Sequence, residues 1–287
     1  MSTPVVTDAG WASLRRFTDA RIALGRAGHS QPTAPHLAFQ LAHAQARDAV
    51  HLPFDAPGVA AGVRALGLDA LHLHSAAPDR GTYLQRPDLG RQLDTASRQT
   101  LARWQCERGE PATLFDLAFV VCDGLSALAV HQNAVPLIAA ALARLQDPMG
   151  ERWTVAPVGI VEQARVAVGD EAGAGLQARC VVVLIGERPG LSSPDSMGLY
   201  LTWSPQPGLT DASRNCISNV RPAGLSVDAA ARKLVQLLGA ARRLRLSGVA
   251  LKDDVDEQAL GPGPSGDDAA AFGKALQELP PALGARP

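Results

Sequence analysis

Apolar residues in the first third of the chain recur at helical spacing. Leu37, Leu41 and Ala44 form one stripe of a helix predicted over residues 34–50, with Thr33 as its cap. His36, Gln40, His43 and Arg47 take the opposite face. Residues 1–32 read as an arm ending in a glycine-rich turn. Further helices are predicted over 59–66 and from Asp88 to about residue 104. From Asp116 onward the pattern changes. Residues 117–126 and 180–190 are apolar runs stopped by Asp123-Gly124 and Pro189-Gly190, and residues 198–203 alternate. Residues 154–161 and 164–168 are weaker strand candidates. Continuous Val, Ile and Leu runs read as strands buried on both faces of a parallel sheet. Helices are predicted between them, from Gly124 to about residue 133 and again from Pro136. Ser226 caps a last one, running to about residue 246 with Leu234, Leu237, Leu238, Ala241 and Leu244 on its buried face.

Strand–helix alternation over 111–252 predicts an α/β, Rossmann-like domain with a parallel sheet. Residues 1–110 read as a mainly helical N-terminal region. Residues 253–287 read as a flexible, acidic, Gly/Pro-rich tail.

Composition narrows the class. The chain has 287 residues, 46% hydrophobic and 19% charged, with a net charge of −1. A core can form without disulfides or metals. Neither a basic balance, as in nucleic-acid binders, nor a secretory signal is present. The apolar runs around Val120 and Val183 fall short of the roughly 18 residues of a membrane helix. Cys106, Cys122, Cys180 and Cys216 form no CxxC unit, which fits a reduced cytoplasmic protein.

Several motifs have two readings. Gly173-Ala174-Gly175-Leu176-Gln177-Ala178 matches G-x-G-x-x-A, but it precedes a strand instead of following one. Gly124-Leu125-Ser126 sits where a hydrolase nucleophile would, without the second glycine of the elbow. Ser126 then reads as a first-turn residue satisfying backbone donors. His36 and His43 lie roughly 10 Å apart along a helix, too far to share a metal. His72 and His74 share one strand face, and two ligands alone make no site. Arg242, Arg243 and Arg245 suit the end of a helix. Glu187-Arg188-Pro189-Gly190 ends an apolar strand with charge and a rigid turn. Ligands of open α/β sheets bind outside such strand ends, although a salt-bridged loop is the plainer alternative. Asp123-Gly124 ends a strand the same way. Asn215-Cys216-Ile217-Ser218-Asn219 reads as a turn, a strand edge, or a reader of amide groups.

Six segments together resemble the small (light) subunit of ethanolamine ammonia-lyase. They are ARIALGRAG (20–28), YLQRPDLGR (83–91), VVCDGLSALAV (120–130), ARVAVGDE (164–171), VVVLIGERPGL (181–191) and RNCISNVRP (214–222). The resemblance implies a hetero-oligomer with a large TIM-barrel subunit. Adenosylcobalamin would lie between the two for radical conversion of ethanolamine to acetaldehyde and ammonia. Substrate and radical would be handled by the large subunit, so no catalytic or metal-ligating residue is expected in this chain. Val166, Glu187 and Cys216 match the family's cobalamin contacts. The connection from Glu187 to Cys216 is about one residue shorter than in relatives. The chain lacks the Asp-x-His-x-x-Gly signature of cobalamin enzymes that replace the cofactor's own base.

Some relatives carry an N-terminal extension associated with bacterial microcompartments. This chain begins almost at the shared region, so a free cytoplasmic enzyme is expected at least as much as one enclosed in a bacterial microcompartment. The residues by themselves also allow a free-standing α/β small-ligand-binding module, or a serine hydrolase built on Ser126.

Overall fold

In the computed structural model, which describes residues 5–8, 10–18, 20–109, 113–145, 152–251 and 274, six strands form one sheet. They are β1 (Ala70–His74), β2 (Phe115–Cys122), β3 (Val158–Glu162), β4 (Ala178–Gly186), β5 (Met197–Trp203) and β6 (Arg214–Val220), in the order β1-β3-β2-β4-β5-β6. The helices are α1 (Thr33–His51), α2 (Ala56–Ala65), α3 (Arg80–Gln85), α4 (Thr95–Arg108), α5 (Ala127–Leu145), α6 (Val168–Gly175) and α7 (Val227–Leu244). The tail expected at 253–287 lies, apart from Lys274, outside the described residues.

The chain divides into two units, Met1–Gln45 with Asp256–Pro287, and Ala46–Val255. In the first, Thr7 and Arg26 exchange backbone hydrogen bonds at 2.8 and 2.9 Å. Leu37 and Leu41, the expected stripe of α1, are both exposed. The second unit holds the whole sheet. Its β1 lies upstream of the boundary expected at residue 110 and pairs with β3.

The parallel-sheet expectation is corrected: the sheet is mixed. β1, β3, β2 and β4 run parallel, but β4–β5 and β5–β6 are antiparallel. The connections 187–196 and 204–213 are too short for a crossover helix, so the chain turns straight back.

Both sheet faces are covered around β2 and β4. On one face Phe119, Val121, Val182 and Leu184 pack under α5, in one core cluster with residues of α2 and α7. On the other, Val120, Cys122, Val183 and Ile185 pack under α6, in one core cluster with Leu101 of α4. This explains why β2 and β4 read as unbroken apolar runs. Helix α7 begins where its sequence predicts, with the Ser226 side chain accepting from the Ala229 N–H. Its buried leucines, Leu234, Leu237 and Leu238, each contribute on the order of 2 kcal/mol.

Three other expectations change. Pro136 lies inside one continuous α5 and costs it a backbone hydrogen bond. Burial of Val130, Ala134, Leu137 and Ile138 offsets that loss. Undivided, α5 is long and apolar enough to cross a membrane, yet that apolar side forms core. The helix expected from Asp88 breaks after Arg91, and α4 starts afresh with Asp94 accepting from the Ser97 N–H at 2.7 Å. The strand expected at 164–168 does not form. The Ala164 and Arg165 N–H groups donate instead to Asp123 and to the Gly90 carbonyl.

Gly124 joins β2 to α5 at φ +58°, and a Cβ there would meet the Gly186 carbonyl oxygen at 2.2 Å. Gly124→Ala is therefore expected to lower stability by at least about 2 kcal/mol in urea unfolding. An unchanged midpoint would show that this turn relaxes freely.

Candidate functional site

Alternation along β5 builds a surface that the individual motifs do not reveal. Glu187 directly follows β4, and its N–H donates to the Ser196 carbonyl at 2.9 Å. Glu187 and Ser196 thus extend the β4–β5 ladder by one pair. Two residues further along β5, Gly198 opposes Ile185, and Tyr200 opposes Val183. Tyr200 also opposes Cys216 on β6. Side chains two apart share a face, so Glu187, Ser196, Gly198, Tyr200 and Cys216 all lie on the α4/α6 side.

Among the described residues, that side is only partly covered over the outer strands, with Ser196 and Gly198 buried. The helices α4 and α6 pack on β1, β2 and β4. Cys216, Ser218 and Asn219 are exposed, and Tyr200 is half-buried. The Glu187 carboxylate forms one rim. Its Oε2 accepts from the Ser196 hydroxyl and from the Asn219 N–H. Among the described residues, Oε1 accepts from none. Asn219 takes φ +60°, and its side-chain oxygen accepts from Arg221 at 3.0 Å. Arg221 in turn donates to the Ser192 carbonyl at 2.9 Å, tying the 188–195 loop to the end of β6. Although Cys216 keeps exposed surface, partial desolvation of its thiol pushes it up, and the Glu187 charge adds to this against a hydrogen bond from Tyr200. The thiol is therefore the protonated form at neutral pH, a small, weakly polar surface.

The structure thus brings Glu187 and Cys216 onto one face. Val166 approaches from a different element, in the β3–α6 connection, half-buried against the core layer on the same side. Its neighbour Arg165 donates to the Tyr83 carbonyl at 3.1 Å and stacks on the Tyr83 ring. Arg214 joins α6 to β6 through a buried ion pair with Asp170. The sequence motifs pointed to neither Ser196 nor Gly198 nor Tyr200. The alternation at 198–203 held the signal, extended back by one step to Ser196.

Asp123 is a structural pin. Its Oδ1 accepts from the Gly124 and Ala164 N–H groups, at 2.9 and 3.0 Å, and Oδ2 pairs with Arg80 at 3.2 Å. Ser126 is buried, donating to the Pro194 carbonyl and accepting from the Ala129 N–H, so its hydroxyl is fully used as a helix-start residue. The G-x-G-x-x-A match runs from α6 into β4, the reverse of a dinucleotide turn. There Gly173 admits the Val181 side chain, since a Cβ would stand 2.8 Å from it. Arg242 lies over the Trp153 ring and 3.5 Å from Asp116, more than a dipole contact alone. His74 engages the Ser75 carbonyl and His36 the Gln40 side chain. Among the described residues, no group of three His, Cys, Asp or Glu could hold a metal ion.

Comparison with known proteins points in one direction. The family described as ethanolamine ammonia-lyase light chain matches residues 8–252. A protein of Azotobacter vinelandii named ethanolamine ammonia-lyase small subunit is 59% identical over 260 residues, covering 91% of this chain and 94% of that one. Proteins of the same name are 58% identical in Ralstonia nicotianae, over 90% of this chain and 93% of the relative, and in Pseudomonas aeruginosa, over 87% and 89%.

The division between pin and open face can be tested at Asp123. Burial pushes its carboxyl up to about 6, against the Ala164 N–H and Arg80. The folded state therefore holds this proton more tightly than the unfolded chain, whose value is near 3.8. The stability so gained is full below pH 3.8 and is lost as pH rises through about 6. Relative to Asp123→Asn, the parent is expected to lose roughly 2–3 kcal/mol between pH 4 and 7 in denaturant titrations. A relative gain over that range would mean that Arg80 and the N–H donors outweigh burial.

Proposed function

The chain belongs to the ethanolamine ammonia-lyase light-chain family, and from that premise we propose that its open β5–β6 face seats adenosylcobalamin against the large subunit. It is the small subunit of the lyase and works with the large one. When bound, the cofactor supplies the radical chemistry that turns ethanolamine into acetaldehyde and ammonia.

The observation that carries the reading is the pairing of a free carboxylate oxygen with a side-chain-free position beside it. Corrin carries neutral amide arms on its rim, which are N–H donors. Oε1 of Glu187 is an acceptor with no described partner, and a charged acceptor binds such donors roughly twice as strongly as a neutral one. Gly198 and Cys216 present little bulk on the same face, as a broad flat ring requires. A Cβ at Gly198 would reach to 2.9 Å from Oε1 and 3.2 Å from the Tyr200 ring. Val166 adds apolar surface from the β3–α6 connection. These residues fit the group by shape and donor chemistry.

The division of labour follows from what the chain presents. Glu187 binds and orients a rim amide, while Tyr200, Cys216 and Val166 cover apolar ring surface and exclude water. Parallel strand ends of an α/β sheet beside this face agree with a Rossmann-like role. We place the enzyme in the cytoplasm, a reading that its four free cysteines support.

Acetaldehyde release is expected only when this chain, a large subunit and adenosylcobalamin are combined. Activity of this chain alone would overturn the reading. Glu187→Ala is expected to weaken cofactor binding by the assembled enzyme roughly 10-fold or more, measured by equilibrium titration. Unchanged affinity would remove Glu187 from the seat.

A further inference from the structure

Glu187 is held by its cross-strand partner twice. Its backbone N–H donates to the Ser196 carbonyl at 2.9 Å. The Ser196 hydroxyl donates back to the Oε2 atom of its carboxylate. The Asn219 N–H donates to that same oxygen at 3.3 Å. Rotation about the last bond of a glutamate is otherwise nearly free. Two donors on one oxygen hold the carboxylate plane, and the other oxygen is then directed over Gly198. A side chain at that position would displace it.

We propose that Ser196 is a positioning residue that presents Oε1 of Glu187 to the cofactor's amide donors, and that Gly198 leaves that oxygen its place. The proposal rests on the reading of this face as the cobalamin seat. Ser196 is 5% exposed, so it acts through Glu187 and does not itself cover the ring. Holding the acceptor in place before binding removes an ordering cost that would otherwise be met at binding. An unheld carboxylate would also bond to water in several rotamers.

The test is a double-mutant cycle in the assembled enzyme, with cyanocobalamin as an unreactive probe and its dissociation constant as the readout. Ser196→Ala is expected to weaken binding on the order of 3- to 10-fold when Glu187 is present. In the Glu187→Ala background the same change is expected to weaken it less than about twofold, because nothing is left to position. Gly198→Ala is expected to lose more in enzyme carrying Glu187 than in the Glu187→Ala background, where only its contact with the Tyr200 ring and its bulk beneath the cofactor remain. An equal loss in both backgrounds would show that Ser196 acts through the fold and would overturn the proposal. So would no loss in either. If Glu187→Ala alone leaves affinity unchanged, the seat reading itself fails. That outcome differs from a Glu187 effect that Ser196 does not share.

Discussion

The reversal of the chain between β4 and β5 governs what the outer half of the sheet presents. Side chains alternate across a strand with period two, so register alone decides which face each occupies. The backbone bond between Glu187 and Ser196 sets that register at 2.9 Å. From it follow Gly198 opposite Ile185, Tyr200 opposite Val183, and Cys216 opposite Tyr200. A slip of one residue would send Leu199 and Leu201 to solvent and bury Ser196 against α5 and α7. The apolar packing of Leu199, Leu201 and Ile217 on that other side makes such a slip costly. The core thus specifies the polar face from behind.

Two buried ion pairs hold the elements bordering this face. Arg80 and Asp123 join α3 to the end of β2, and Asp123 also gathers the β3–α6 connection through the Ala164 N–H. Arg214 and Asp170 join β6 to α6, with side chains only 3% exposed. Such pairs contribute little net stability, because desolvation offsets most of their attraction. Breaking one leaves an unpaired buried charge and costs several kcal/mol, so each selects a single arrangement. Here that arrangement places Val166, Glu187 and Cys216 around one sheet layer from three separate elements. The seat proposed for the cofactor thus depends on charges that need not touch it.

Much of this was legible in the chain. The buried runs of β2 and β4, the cap at Ser226 and the stripe of α7 as far as Ala241 are local consequences of side-chain periodicity and backbone satisfaction, whereas Leu244, expected on that stripe, is exposed at the helix end. The family resemblance was carried by six short segments, of which 120–130 and 181–191 run through the ends of β2 and β4 into the turns that follow. Pro136 misled because its cost to a helix is local, whereas the burial that outweighs it is contributed by the sheet. Residues 164–168 misled similarly. Their β-branched character favours a strand, but Asp123 and Gly90 take the backbone donors a strand would need.

By itself the sequence determined which segments are apolar on one side or two, where helices start, and which family the chain joins. The first two depend on residues within a few positions of one another, and the family on short segments read together along the chain. Only the tertiary structure decided that β5 and β6 run antiparallel. It likewise decided that Glu187 and Cys216 share a face, and that Ser196 and Gly198 belong with them. Those relations join residues nine to thirty positions apart through hydrogen-bond register, which no local pattern encodes.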